Sequence, residues 1–413
     1  MAEAQPQPQP QTPRWLIRVI GLVTVLFIAF ALLVLTVTYF KLVQSEETLP
    51  THYTDYYVFF GAAKLALSGD WTLAFDGVAL HREHPLPQNQ LDVRYTGWLY
   101  PPTYHVFLAP FGLVDLAPSW ALFIAASVLA LMFGFRHAAR GMPGELSMVL
   151  LAPAAWMGVL ITNNSLLSAA CLVAALSALQ RGRPVLAGIL IGVMTLKPTV
   201  GLLIPVALAA GGHWRSFLWA AGTALVLALG ATLITGVEYW SLLVERMAWA
   251  SGPEGPGSVY HYYLVNLFGM LRWFGVEHGP ALTAQYALTL GLMAMTWFVW
   301  RSAWAFELKA ALLCLAIPLA APHSFAYELI FTLGGIAFIC LWPDQGQWRG
   351  ARAWALRGVL VALFLLPLQV SAWNQANWMP IWLPEPVATT AAPLTLLTLA
   401  LLLYLGRETS RPA

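Results

Sequence analysis

The sequence predicts an all-α polytopic membrane protein, and three observations predict it. Hydrophobic residues make up 59% of the 413-residue chain and charged residues only 10%, against about 25% charged in an ordinary soluble domain. Mean hydropathy is +0.68, and apolar runs near the length of a bilayer crossing recur from end to end. The few charges are sorted by loop rather than scattered.

Residues 1–13, MAEAQPQPQPQTP, are polar and rich in Pro and Gln, so a disordered tail is expected. Arg14 and Arg18 then open an apolar run that is too long for a signal-peptide core, and it reads as the first span. The expected spans are roughly 16–38, 119–135, 146–162, 164–180, 184–196, 198–211, 216–234, 281–300, 308–321, 325–342, 355–372 and 388–405, twelve in all. Several fall short of the ~20 residues of an ordinary crossing. The short ones come in pairs, 146–162 with 164–180 and 184–196 with 198–211, which could turn back inside the protein. The second pair could also be one long kinked helix, which would shift the sidedness of everything after it.

Charge argues for twelve. On that count one face receives two thirds of the Lys and Arg, and the other holds most of the Asp, Glu and His. The basic face is assigned to the cytoplasm, with both termini. Residues 14–405 then form a single transmembrane domain with outer loops 39–118, 235–280 and 371–387. Residues 406–413 form a second cytoplasmic tail.

Cytoplasmic loops this short leave no room for a nucleotide-binding domain, and no Gly-rich P-loop occurs, which argues against an ATP-driven pump. Cys171, Cys314 and Cys340 fall in apolar runs and read as small hydrophobes. The two halves show no convincing repeat of the kind many transporters carry. Functional residues are therefore sought in the long outer loops.

In the first outer loop, THYTDYYVFFGAAKLALSGD runs from Thr51 to Asp70. Tyr56, Phe59, Phe60, Ala63 and Leu67 fall near helical spacing, with Lys64 and Ser68 on another side. This predicts an interfacial amphipathic helix stopped by Gly69. Asp55 sits at its start, where it could cap the helix, act chemically, or both. Further on, RYTGWLYPPTYHVFLAPFGLVDL spans 94–116. Pro101 and Pro102 favour a helix start near Thr103, and the apolar run after it suits a re-entrant or surface helix. Tyr95, Trp98, Tyr100 and Tyr104 could form an aromatic belt or line a groove for lipid or sugar.

Three polar groups interrupt apolar runs. In TNNSLLSAA, Asn163 and Asn164 could serve a tight turn or a ligand. In MTLKPTVGLLIP, Lys197 precedes Pro198, and with Thr199 it could hold an anion at a helix N-terminus or simply snorkel. In APHSFAYELIF, His323 lies at an outer helix mouth, where it could donate to a phosphate or carry a proton. Glu328, about a turn deeper, could pair with Lys197. His81, His84 and His261 lack a metal-site spacing, and HREH is not HExxH.

Taken together, DYYVFFGAAKLALSGD, YPPTYHVFLAPFGLV, ITNNSLLSAACLV, LKPTVGLLIPVAL and APHSFAYELIF resemble glycosyltransferase family 87, polyprenol-phosphate-sugar-dependent mannosyltransferases of the GT-C type. The resemblance covers about residues 50 to 340. It implies a GT-C fold and inverting transfer of a sugar, mannose by family, from a polyprenyl monophosphate. The acceptor would be a glycolipid, polysaccharide or protein at the non-cytoplasmic face of a bacterial inner membrane. Asp55 maps to the family's base. Lys197, His323, Arg94 and Thr199 are candidates for the donor phosphate, and Tyr56, Tyr100, Asn163, Asn164, Tyr327, Glu328 and His261 for sugar or acceptor. No cofactor or metal is needed by this scheme, and no nucleic-acid partner is expected. A secondary transporter or flippase using Lys197 and Glu328, or a non-catalytic assembly factor, are the competing expectations.

Overall fold

The computed structural model describes residues 54–83, 97–343, 350–368 and 387–409, together with scattered helical positions between 21 and 36. Most of the expected 16–38 span, most of the 371–387 loop, His84, Arg94 and Tyr95 lie outside the described residues. The described chain is helical, and its one strand-like pairing is a single bridge between Leu264 and Phe325.

Helix α1 runs over Thr54–Ser68 and ends at Gly69, whose φ of +82° is left-handed backbone that glycine adopts without a Cβ penalty. Its position matches the expectation, but its burial does not. Tyr56 to Phe60, Ala62, Ala63, Leu65 and Ala66 are all buried, so α1 is enclosed by protein rather than lying with one face in an interface. Helix α2, Pro102–Leu108, starts with Pro102 in its first turn and passes into a 3-10 turn over Ala109–Leu113. Gly112 there touches the α1 backbone so closely that a Cβ would stand 2.6 Å from the Ala63 oxygen. The expected belt is not at the surface either: Trp98 and Tyr104 are wholly buried, and their rings stack with centroids 6.1 Å apart.

Helix α3, Leu116–Phe135, is the first long apolar helix of the described bundle. The expected 146–162 span is two pieces, α4 (Leu146–Leu151) and α5 (Pro153–Ile161), because Pro153 cannot continue the helix before it. Then come α6 (Ser165–Gln180), α7 (Pro184–Val193), α8 (Ile204–Ala210) and α9 (Trp214–Thr235). The segment expected as the second outer loop carries α10 (Glu238–Ala250) and α11 (Leu267–Trp273). The chain continues through α12 (His278–Arg301), α13 (Phe306–Ala320), α14 (Ile330–Leu341), α15 (Ala351–Leu365) and α16 (Val387–Thr409). Among the described residues, four segments are long and apolar enough to cross a membrane by themselves: α3, α9, α12 and residues Thr389–Glu408 of α16. The remaining apolar helices are shorter and pack into the bundle between them.

Packing settles the ambiguity at 184–211. Ser216 Oγ donates to the Pro184 carbonyl at 2.9 Å, Gly188 faces Ser216 and Ala220, and Gly192 faces Ala220 and Thr223. Residue numbers rise together, so α7 and α9 run parallel. The chain between them must therefore return across the layer, which a single kinked helix could not do. A Cβ on Gly192 would sit 2.5 Å from Thr223 Cβ, so these small residues are what lets the two backbones approach.

The bundle has two distinct ends. At one, His137 meets Gln180 at 3.3 Å, Gln180 donates to Glu307 at 2.8 Å, and Gly141 packs on Cys340 and Leu341. At the other gather the start of α1, the α5–α6 turn, Lys197 and the α13–α14 turn. Helix α6 alone, at ~1.5 Å per residue, separates them by roughly 24 Å.

Candidate active site

The turn between α5 and α6 is the hub of the second end. Thr162 closes α5 with φ 54°, a left-handed conformation that is unusual for a β-branched residue. It is held there by its own hydroxyl, which donates to the Val159 carbonyl at 2.9 Å and accepts from the Trp120 indole at 3.0 Å. This twist delivers Asn163 into the protein, 1% exposed. Its carbonyl oxygen accepts from the Ser165 amide and from Lys197 Nζ, each at 3.0 Å. Its amide nitrogen donates to Asp55 Oδ2. One side chain thus joins a carboxylate to an ammonium.

Asp55 lies inside the first turn of α1, and among the described residues the bond from Asn163 is its one hydrogen bond; no helix N–H is capped. The cap expected from sequence is therefore not the job the carboxylate does. Burial pushes its pKa above the ordinary carboxylate value; the Asn163 bond and nearby Lys197 pull it back, and Glu328 raises it again. The result is a carboxylate with more than usual proton affinity.

Lys197 is buried and sits 2.5 Å from Glu328 Oε1, with its ammonium 4.7 Å above the Tyr327 ring. Among the described residues, Glu328 Oε2 has no hydrogen-bond partner. The helix expected to begin at Pro198 is only a 3-10 turn, Pro198–Gly201, and the α-helix follows from Ile204. The free N–H array expected beside Lys197 is therefore short, and Thr199 points to the exterior. Tyr100 and Tyr327 border the same cluster: Asp55 and Glu328 both act on the Tyr100 hydroxyl, which burial has already made hard to ionise. Asn164, buried next to Asn163, faces the Tyr104 hydroxyl.

Other expected site residues lie elsewhere. Tyr56 is 1% exposed, and its hydroxyl donates to Ser119 Oγ at 2.5 Å, since Ser119 spends its own hydrogen on the Phe111 carbonyl. It is part of the packing beneath the site. His261 donates through Nδ1 to the Ser258 carbonyl at 2.8 Å, within its own turn. His323 packs edge-on against Phe268, and its ring lies so close to Gly257 that a Cβ there would be 2.0 Å from His323 Cδ2. Among the described residues, its Nε2 has no partner. Burial, with His278 alongside, pushes its pKa down to about 4, so the ring is neutral. None of its contacts reaches Asp55, Asn163, Lys197 or Glu328.

Sequence reasoning missed two supporting networks. His105 on α2 donates through Nε2 to the Ala62 carbonyl of α1 at 2.7 Å, leaving Nδ1 to face the Tyr239 hydroxyl of α10 at 3.1 Å. Trp98 also donates to that hydroxyl. Burial lowers the His105 pKa to about 4, which suits a neutral ring with one donor and one acceptor, tying the Asp55 helix to α2 and α10. The second network holds the turn that leads to Glu328. Asn266 donates to the Ala321 and Pro322 carbonyls at 2.6 and 2.8 Å, Gln285 to Leu319 at 2.8 Å, and Thr289 to Ala320 at 2.7 Å. Four successive carbonyls at the end of α13 are thus satisfied by side chains. A Gln and a Thr four residues apart in an apolar helix were the available signal.

The family model of glycosyltransferase family 87 matches residues 98–322. The match takes in Tyr100, Asn163, Asn164 and Lys197, and stops short of Asp55 on one side and of Tyr327 and Glu328 on the other. No curated protein and no solved structure matches the chain. The match spans more than half of a helical membrane protein, centred on the buried Asn–Lys hub. The chain belongs to glycosyltransferase family 87.

Proposed function

We propose that this glycosyltransferase moves a sugar, mannose by family, from a polyprenyl monophosphate to a hydroxyl of a glycolipid, polysaccharide or protein, with inversion at C1. One observation carries the proposal: Asp55, a carboxylate with raised proton affinity, is joined through a single bridging amide to a buried ammonium. A transfer from a lipid phosphate needs those two things, a base and a cation.

In the proposed step the acceptor oxygen bonds to C1 while its proton passes to Asp55. The C1–O bond to phosphate breaks, and its electron pair stays on the departing phosphate oxygen. That leaving group is already a stable anion and calls for positive charge rather than a strong acid. Lys197 would supply it, exchanging some of its contact with Glu328 for the phosphate. Glu328 Oε2 lacks a donor and would take one from a sugar hydroxyl, with Tyr100, Tyr327 and Asn164 around the ring. A neutral His323 can offer one N–H, and Arg94 and Thr199 remain candidates for the phosphate. Tyr56 and His261 take no part in this scheme. The scheme routes nothing through a metal or cofactor.

We further place the site on the non-cytoplasmic face of a bacterial inner membrane, within one domain over 14–405 and with both termini inside. Supporting this, Arg136, Arg140, Arg181 and Arg183 all lie at the opposite end of the bundle. The test is transfer by purified protein from a panel of labelled polyprenyl-phosphate sugars to extracted membrane lipids. Label should move to a new lipid or glycan from one donor; no transfer from any donor by folded protein overturns the proposal. The Lys197–Glu328 pair is also what a transporter or flippase would use. Flux of unchanged substrate into sealed vesicles would favour that second function.

A further inference from the structure

The four arginines at the far end take no part in the chemistry around Asp55. Arg136 follows the last residue of α3 and Arg140 lies in the 3-10 turn after it, while Arg181 and Arg183 form the short turn between α6 and α7. All four are exposed. Helices α3 and α6 pack together, and the His137–Gln180 bond at 3.3 Å brings the two turns side by side. Arg181 lies within electrostatic reach of the other three. Among the described residues no carboxylate pairs with any of them, and nearby Glu307 is taken by Gln180 at 2.8 Å.

An apolar stripe leads up to this cluster. Leu122, Leu129 and Phe133 are 55, 66 and 68% exposed, and their spacing puts them on one outward face of α3. Arg136 ends the stripe, with its guanidinium 5.2 Å above the Phe133 ring. Leu186 and Ile189, just beyond Arg183, are exposed in the same way on α7. Sorting of positive charge to one membrane face explains why arginines lie on this side. It does not require four to converge unpaired at the head of an outward apolar stripe. Guanidinium groups match phosphate oxygens two at a time, and basic pockets between membrane helices hold anionic headgroups.

We propose that the ends of α3, α6 and α7 bind an anionic phospholipid, with its phosphate among Arg136, Arg140, Arg181 and Arg183 and its acyl chains along Leu122, Leu129 and Phe133. The test uses delipidated full-length protein in detergent, titrated with phosphatidylglycerol or phosphatidylcholine of identical chains and read by native mass spectrometry. Phosphatidylglycerol should bind preferentially. R136Q/R181Q should weaken it roughly thirtyfold, whereas R301Q/R357Q, which removes two exposed arginines outside this cluster, should leave it unchanged. R136K/R181K should keep most of the binding, which separates lost contact from lost folding; thermal midpoints of all variants check the latter. Equal weakening in both Gln pairs would reduce the effect to net charge and overturn the proposal. So would equal binding of phosphatidylcholine, or displacement of the lipid by millimolar inorganic phosphate.

Discussion

Lys197 Nζ stands 2.5 Å from Glu328 Oε1, with the two side chains only 8 and 4% exposed. Each charge makes the burial of the other tolerable. Among the described residues, Lys197 has two further supports, the Asn163 carbonyl oxygen and the Tyr327 ring, whereas Glu328 leaves Oε2 without a donor.

Removing one partner of such a pair strands the other. K197M or E328L should each destabilise the protein by about 3–5 kcal/mol. The K197M/E328L double variant should be clearly more stable than the K197M single, since no lone charge remains. Thermal unfolding in detergent measures all three; additive losses would show that the two charges are not coupled.

Asp55 should be indispensable for turnover but not for folding. D55N keeps the shape and an acceptor oxygen for the Asn163 amide but cannot take a proton. Transfer should fall about 10²–10⁴-fold. The sign of the stability change follows from linkage. With its folded pKa raised, ionised Asp55 is a cost to the fold at neutral pH, and that cost disappears as pH falls below the ordinary Asp value of 3.8. D55N should therefore unfold at the same temperature as the parent or higher. Near-normal transfer by D55N would sink the assignment of the base.

The same raised pKa sets the acid limb of activity. Transfer needs the carboxylate, so kcat/KM should decline as pH falls through a pKa above the usual Asp range. Asn163 donates to the ionised form and holds the value down. N163L should therefore move the limb to higher pH, an effect that simple loss of packing would not produce. A pH profile of the two proteins decides the matter.

Gly257 and His323 share a space that admits only glycine. A Cβ at 257 would lie 2.0 Å from His323 Cδ2, so G257A must displace the ring. The expected cost is about 1–3 kcal/mol in stability. H323A should relieve much of it in the G257A/H323A double variant. If G257A leaves both stability and activity untouched, the ring is free to move and holds no fixed post.

Much of the architecture was legible in the sequence because its causes are local. Apolar runs, prolines at helix starts, Gly69 after α1 and loop charge follow from covalent preference and solvent. The helices over 119–135, 164–180 and 216–234 emerge within a few residues of their expected bounds. Where neighbours decide, local signals failed. Helix α1 has the spacing of an interfacial helix, yet the 102–113 segment and α3 close over it. Pro198 announces a helix, yet only a 3-10 turn forms before Ile204.

The candidate site divides in the same way. The sequence by itself marked Asp55, Asn163, Lys197 and Glu328 as polar groups out of place among apolar neighbours, because unpaired polarity there is costly. It left Asp55 as more naturally a helix cap, and it could not choose a partner for Lys197. Tertiary structure decided both. The left-handed turn at Thr162 aims Asn163 inward, α7 runs back against α6 from the far end and so returns Lys197 to the site, and Asn266, Gln285 and Thr289 clamp the turn before Glu328. Convergence of four side chains from distant segments depends on helix packing angles and on hydrogen bonds formed only once the bundle is assembled, and no local run of residues encodes those.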